Sequence, residues 1–162
     1  MTQTSVLVRA PFARDELAWR RLWAGYLDFY RATVAPDVTL RTLERILDPA
    51  SPMFGRIAER EGAVVGFAIC VLHEGTWSIG PTCYLEDLFV DPAARGVGVG
   101  RALIDDLVAL GGDRGWNSLY WHTRADNTQA RKLYDRYGAA DDFVRYRLTL
   151  KSNTTPRPFP ST

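Results

Sequence analysis

One stretch, YLEDLFVDPAARGVGVGRALI, running from Tyr84 to Ile104, constrains the fold of this chain more than any other. Its first seven residues read as a strand, and Leu103, Ile104, Leu107 and Val108 recur at helical spacing after the glycines. A strand that passes through alternating glycines straight into a helix belongs to a layered α/β chain. At the start of a helix, unpaired N–H groups and the positive end of the dipole favour anions, and glycine lets a phosphate come close without a Cβ in the way. Gly96, Gly98 and Gly100 therefore read as a phosphate cradle. A Walker loop needs Gly-Lys-Ser/Thr where Gly100-Arg101-Ala102 stands, and a dinucleotide loop needs glycine where Arg101 or Leu103 stands, so both of those cradles fail on spacing.

The rest of the chain supplies the other layers. SVLVRA reads as a first strand, and Leu17, Trp19, Leu22, Trp23, Tyr26, Leu27 and Tyr30 recur at helical spacing over Asp15 to Tyr30, with Gly25 a place for a bend. A second short helix is expected from Leu40 to Leu47, stopped by DPASP. MFGRIAER and AVVGFAICVL are β-rich runs joined at Glu61-Gly62, the signature of an antiparallel hairpin. After the helix from Gly98 to Leu110, closed by Gly111-Gly112, come a strand at SLYWHT, a helix from Asn127 to Tyr137 stopped by Gly138, and a last alternating strand at FVRYRLTL.

At 162 residues the chain suits one domain, expected over residues 1–151, with 152–162, rich in Pro, Ser and Thr, as a flexible C-terminal tail. A formal net charge of +1 without runs of like charge argues against a nucleic-acid face or attraction to an anionic membrane. No apolar stretch approaches the ~18 residues of a membrane span and the first residues lack a signal-peptide pattern, so a cytoplasmic address is expected. Cys70 and Cys83 fit no metal or redox spacing and read as small core hydrophobes; His73 and His122, the only histidines, are too scattered to suggest a metal site or a histidine-based triad.

Arg95, Gly98 and Gly100 also match the pattern Arg/Gln-x-x-Gly-x-Gly/Ala, and NTQARKLYDRYGA supplies Asn127, Ala130, Tyr134 and Gly138 in the pattern Asn-x-x-Ala-x-x-x-Tyr-x-x-x-Gly. In these motifs the chain resembles the GNAT superfamily of acetyl-CoA-dependent N-acetyltransferases, at least from Ala63 to Leu150. The resemblance implies the GNAT fold, a mixed, mostly antiparallel central sheet splayed at the middle with helices on both faces. It implies that the loop of Arg95 and Gly96, with the amides of Val97, Gly98, Val99, Gly100 and Arg101, binds the pyrophosphate of CoA. Leu88, Phe89 and Val90 would offer main-chain groups to the pantetheine arm, which lies between the splayed strands. Asn127 would hydrogen-bond that arm, Ala130 would keep its helix close, and Arg131 or Lys132 would reach the phosphates.

Acetyl transfer to an amine needs a neutral nucleophile, a polarised carbonyl and a proton for the departing thiolate. A lysine-like amine has a pKa of about 10.4, so a base has to help it lose a proton at neutral pH. Tyr134 stands where the family commonly holds a tyrosine near the CoA sulfur and is the expected general acid. Glu86 and Asp87 sit in an otherwise hydrophobic strand, where a carboxylate is costly unless paired or used. Successive strand residues face opposite sides, so only one should face the acceptor unless a bulge intervenes. YLEDLFV is similar to the strand of polyamine acetyltransferases whose glutamate is assigned as base. That makes Glu86 the expected base and leaves Asp87 as amine anchor or structural acceptor.

FYR, EGTWSIGPTCYLEDLFVDPAARGVGVGRALI, LYW and ARKLYDRYGAADDFVRY are similar to a fungal histone and polyamine acetyltransferase clade and its bacterial relatives, which accept histone lysines, polyamines and, in one branch, D-amino acids. Tyr26, Tyr30, Trp77 and Tyr84 are candidates for an aromatic acceptor wall tolerant of cations, with Glu86, Asp87 and the Asp141-Asp142 pair attracting the amine. Association through C-terminal strands, common in that clade, implies a homodimer. The second reading is a CoA-binding sensor or assembly module without catalysis, against which Tyr134, Asn127 and Glu86 argue together.

Overall fold

The computed structural model describes residues 5–150. These residues form the strands β1 (Leu7–Arg9), β2 (Met53–Arg60), β3 (Ala63–His73), β4 (Thr82–Val90) and β5 (Ser118–Trp121), and the helices α1 (Glu16–Phe29), α2 (Pro36–Leu47), α3 (Val99–Arg114) and α4 (Thr128–Tyr134). The strands lie in sequence order in one sheet, antiparallel from β1 to β4 and parallel between β4 and β5. The expected α/β architecture, a mixed and mostly antiparallel sheet with helices on both faces, is the one observed. At the β2–β3 turn Glu61 and Gly62 both take positive φ (54° and 78°), which matches a two-residue hairpin turn to the twist of its strands. No helix of the described residues is long and apolar enough to cross a membrane.

Two cores cover the two faces of the sheet. On one, α1 buries Trp19, Leu22, Trp23 and Tyr26 and α2 buries Leu43 and Ile46 against Ile57, Phe67, Ile69 and Phe89. The α1 positions follow i, i+3, i+4, i+7, the stripe of a surface helix, and Trp19 stacks on Trp23 with ring centroids 5.4 Å apart. Leu17, expected on this stripe, faces solvent. On the other face α3 packs Val99, Leu103 and Leu107 against Ala58, Ala68, Cys70, Cys83 and Leu85. Cys70 and Cys83 are free thiols inside this layer, and a hydrogen bond between them, with burial, pushes the Cys70 thiol up.

Several boundaries differ from the sequence expectation. Helix α2 starts at Pro36 rather than Leu40, because proline at the first helical position fits a fixed φ and lacks only an N–H that would go unpaired. Helix α3 runs through Gly111 and Gly112 to Gly115, whose φ of 68° ends it. Gly111 is there for packing: a Cβ on it would meet the Trp116 ring at 2.8 Å. Gly25 lies inside an unbroken α1, and its Cβ would meet the Phe89 ring at 3.0 Å, so it serves close approach to β4 rather than a bend. The segment 143–150, read as a last strand, pairs with no strand of the described residues and lies exposed, since alternation records a preference for extended backbone and not a partner. The tail at 152–162 lies outside the described residues.

A charge network fixes the entry to α1. Arg9 on β1 donates to Asp15 at 2.8 Å and to Glu59 on β2 at 3.0 Å. Asp15 is buried, and the Arg9 hydrogen bond, helped by the Phe12 amide, holds its carboxyl below the usual carboxylate range. A depressed folded pKa stabilises the fold fully above the unfolded value of about 3.9, and the contribution is lost as pH falls through the folded pKa. Asp15→Asn is expected to lower unfolding free energy by about 2 kcal/mol at pH 7. The deficit should vanish below the folded pKa, as read from denaturant midpoints at a series of pH values.

Candidate active site

In the β3–β4 ladder Ile69 faces Asp87 but the next residue, Cys70, faces Leu85, which leaves Glu86 as an extra residue in β4. The bulge resets the alternation. Cys83 and Leu85 before it and Leu88 and Val90 after it all pack on the α3 side, so Glu86 and Asp87 share the opposite face. There the Tyr26 hydroxyl donates to Asp87 Oδ1, and Asp87 is only 5% exposed. The missing side chain at Gly25 is what lets α1 bring Tyr26 down to this strand. Asp87 thus accepts a hydrogen bond inside the fold, and Glu86 is the more accessible carboxylate.

The parallel β4–β5 ladder stops at Leu85 opposite Trp121. From Glu86 to Val90 the β5 side of β4 is open. A cleft of about 960 Å³ begins there, lined by Leu88, Phe89 and Val90, the whole loop from Arg95 to Arg101, and Asn127, Ala130, Lys132 and Tyr134 of the α4 region. Tyr26 and Tyr30 line it as well, their rings tilted 57° to each other with centroids 4.9 Å apart.

The loop is built to present backbone. Asp91 accepts from the Ala93 amide at 3.0 Å and pairs with Arg21 at 2.6 Å, an arrangement that depresses the Asp91 carboxyl, first through Arg21. Arg95 donates to the Val90 carbonyl at 3.1 Å, and its guanidinium lies over the Phe89 and Phe29 rings. Its side chain thus clamps the loop to the end of β4. Gly96 and Gly98 take positive φ (80° and 92°), and a Cβ on either would meet no atom within 4 Å. The first helical hydrogen bond of α3 is Ala102 N–H to Gly98 O at 2.9 Å, so the amides of Val99, Gly100 and Arg101 have no acceptor within the helix. Val99 is buried and anchors this mouth in the α3-side core. Open, glycine-bared amides at the positive end of a helix fit a diphosphate.

Helix α4 forms the far wall. Asn127 caps it, accepting from Ala130 N–H at 3.3 Å, and its Nδ2 donates to Thr123 Oγ1 at 3.1 Å, which leaves one lone pair and one N–H for a ligand. At Gly100 of α3 a Cβ would lie 3.4 Å from Leu133 of α4, and Ala130 lines the cleft. Arg131 donates to the Ala125 carbonyl at 2.9 Å, while Lys132 is exposed on the cleft. Tyr134 packs edge-on against Trp121, with centroids 5.3 Å apart. Burial, with a smaller contribution from Tyr30, pushes its phenol up to about 12, so the hydroxyl keeps its proton through neutral pH.

The expected aromatic wall divides. Tyr26 and Tyr30 are in the cleft. Tyr84 stands beyond it, stacked on Tyr120, and Trp77 is 97% exposed on the β3–β4 loop, without a ring contact among the described residues. Trp77 is thus not part of the wall, because the loop leaves the sheet edge at His73 and returns only at Thr82. Asp141 and Asp142 lie on the exposed stretch after α4. Phe29, Leu133 and Arg136 line the cleft unforeseen. Tyr120 and His122 were also missed as a pair, although the alternation in LYWHT puts them on one face, opposite Leu119 and Trp121. No group of three or more His, Cys, Asp and Glu among the described residues is arranged to hold a metal.

The profile of the Acetyltransferase (GNAT) family matches residues 18–139. The chain belongs to this family. It is an acetyl-CoA-dependent N-acetyltransferase acting on amines. The acetyltransferase is 32% identical over 149 residues to the D-amino-acid N-acetyltransferase HPA3 of Saccharomyces cerevisiae, covering 91% of this chain and 92% of that one. It is 30% identical over 145 residues to the N-acetyltransferase YhfO of Bacillus subtilis, covering 88% and 97%. Among solved structures, the aminoglycoside N-acetyltransferase AAC(6')-Iy with a bisubstrate analogue superposes with a TM-score of 0.75 at 24% identity, over 91% of this chain and all (100%) of that one, a likeness of fold.

Proposed function

We propose that this acetyltransferase moves the acetyl group from acetyl-CoA directly to a primary amine, that of a polyamine, an amino acid or a lysine side chain, within a ternary complex. The observation that carries the reading is the single cleft on which bared helix-mouth amides, the open edge of β4 and Tyr134 converge. When bound, acetyl-CoA supplies an activated thioester. The amides from Val97 to Arg101 hold its diphosphate, the main chain of Leu88, Phe89 and Val90 holds its arm, and Asn127 and Lys132 add side-chain contacts. Glu86 takes the proton from the amine, and Tyr134 Oη provides the one the leaving thiol needs. Backbone N–H groups near Leu88 and Phe89 polarise the carbonyl. Direct transfer is favoured because both thiols that could carry an acyl group, Cys70 and Cys83, are fully buried.

The acceptor range follows that of the fungal histone and polyamine clade and its bacterial relatives, and the D-amino acid in the name of the yeast relative falls inside it. Thiol release from acetyl-CoA across a panel of polyamines, D- and L-amino acids and lysine peptides tests the reading. Release that rises with at least one of these amines is expected; CoA binding without amine-dependent release from any of them would sink it.

Two copies are proposed to associate through the C-terminal segment. Phe143, Tyr146 and Leu148 are 84%, 91% and 82% exposed, and the outer edge of β5 carries no strand among the described residues. The alternating apolar run is Val144, Tyr146, Leu148 and Leu150, all exposed, and such a run beside an open edge is a pairing template. Sedimentation at micromolar concentration is expected to give a dimer, and a monomer there would end this part of the proposal.

A further inference from the structure

The sheet face beside Glu86 carries a cluster that the reaction above leaves unused. Tyr84 and Tyr120 are register partners across β4 and β5 and stack with centroids 5.0 Å apart and planes 19° from parallel. An imidazole closes each end: His122 Nδ1 lies 3.3 Å from the Tyr84 hydroxyl, and His73 Nε2 lies 3.1 Å from the Tyr120 hydroxyl. His73 Nδ1 is 3.0 Å from the Glu74 carbonyl, which can only accept, so Nδ1 carries the proton and a neutral His73 receives the Tyr120 proton at Nε2. His122 is exposed, and its Nε2 has no partner among the described residues.

The register sets this cluster against the proposed base. Glu86 and His122 are each the residue that follows the last β4–β5 pair, Leu85 with Trp121. Leu119 and Trp121 pack on the α3 side, so Tyr120 and His122 stand on the face that the bulge gives to Glu86. A carboxylate and an imidazole therefore flank the point where the strands part. With Tyr84 donating to Nδ1, a neutral His122 offers Nε2–H as a donor, and a protonated one offers it too.

We propose that this cluster is the acceptor-selecting subsite and that it takes an α-amino acid as zwitterion, with the ammonium toward Glu86, the carboxylate on His122 Nε2 and the side chain against the Tyr84–Tyr120 stack. The assignment rests on Glu86 receiving the amine in the reaction above. Arg145 supports it: the positive charge of Arg145 and the negative charge of Glu86 act in opposite senses on both phenols, which burial and Glu86 raise and Arg145 lowers. A field with both signs suits a dipolar acceptor, whereas a second ammonium, as in a polyamine, meets the charge of Arg145.

The test compares phenylalanine, in either enantiomer, with 2-phenylethylamine, which lacks only the carboxylate. The wild-type enzyme is expected to favour one enantiomer over the amine by at least about tenfold in kcat/KM. His122→Ala should remove about that factor through KM for the amino acid and leave the amine within about twofold. Arg145→Gln should cause a smaller loss with the same selectivity. Wild-type turnover of the amine without preference for the amino acid would overturn the subsite and leave acetyl transfer standing, as would equal losses on both substrates in His122→Ala. Turnover of neither compound would remove the subsite together with the reading of Glu86 beneath it.

Discussion

Tyr134→Phe is expected to lower kcat by about a hundredfold or more while leaving the fold and the affinity for acetyl-CoA nearly unchanged. The ring is held by its edge-on contact with Trp121 at 5.3 Å, which phenylalanine keeps. Among the described residues no hydrogen bond acts on the Tyr134 hydroxyl, whose phenol is shifted by burial and Tyr30 alone, so its removal orphans no protein group and disturbs only what the hydroxyl does in the cleft. Positioned proton donation contributes on the order of 10²–10⁴ in rate, and the whole loss should fall on kcat. The pH dependence has a definite sign. A donor whose phenol is pushed up to about 12 loses its proton only as pH rises through that value. Any fall of kcat on the alkaline side below about pH 10 must therefore come from another group, and it should persist in the variant. Unchanged turnover by a folded Tyr134→Phe protein, measured by stopped thiol release, would remove Tyr134 from the chemistry.

The second large effect is expected at Glu86. Glu86→Gln keeps size and hydrogen-bonding shape but cannot take a proton, and kcat/KM for the amine should fall by about a hundredfold at pH 7. At that pH roughly one lysine-like amine in 2,500 is already neutral, and the fraction rises tenfold with each pH unit up to about pH 10. The deficit should accordingly shrink as pH rises, because the solvent does in advance what the carboxylate did in the site. A deficit that stays constant from pH 7 to pH 10 would point to a binding role. Asp87 makes the contrast useful: it already accepts from Tyr26 and is almost wholly buried, so Asp87→Asn should show itself in stability and not in that pH-dependent recovery.

Local chemistry was legible in the chain and pairing was not. Glycines at 96, 98 and 100 announce a bare helix mouth because positive φ and open amides are decided within a few residues, and the structure gathers those residues on one cleft with Asn127 and Tyr134. The Glu61-Gly62 hairpin is legible for the same reason. By contrast, which face Glu86 takes depends on a bulge set by the register against Ile69 and Cys70, a property of two strands together. The run from Phe143 to Leu150 alternates as a strand does, yet alternation cannot name a neighbour. Gly111-Gly112 imitates a helix stop, but the close approach of Trp116 gives Gly111 its reason and Gly115 ends the helix. His122 fits no metal or triad spacing within the chain, and its setting comes from the edge-on Tyr84 ring on the adjacent strand.

The parting of β4 from β5 after Leu85 has a thermodynamic side. β5 is joined to the other strands by one short ladder, so it and α4 should open more readily than the hairpin strands, and their amides should exchange with solvent sooner. A ligand that bridges both lips of the gap ties this end of the protein to the rest. At a hundred times its dissociation constant, such a ligand adds about 2.7 kcal/mol to the folded state. Coenzyme and scaffold are then mutually supporting, and the supply of the one sets the lifetime of the other.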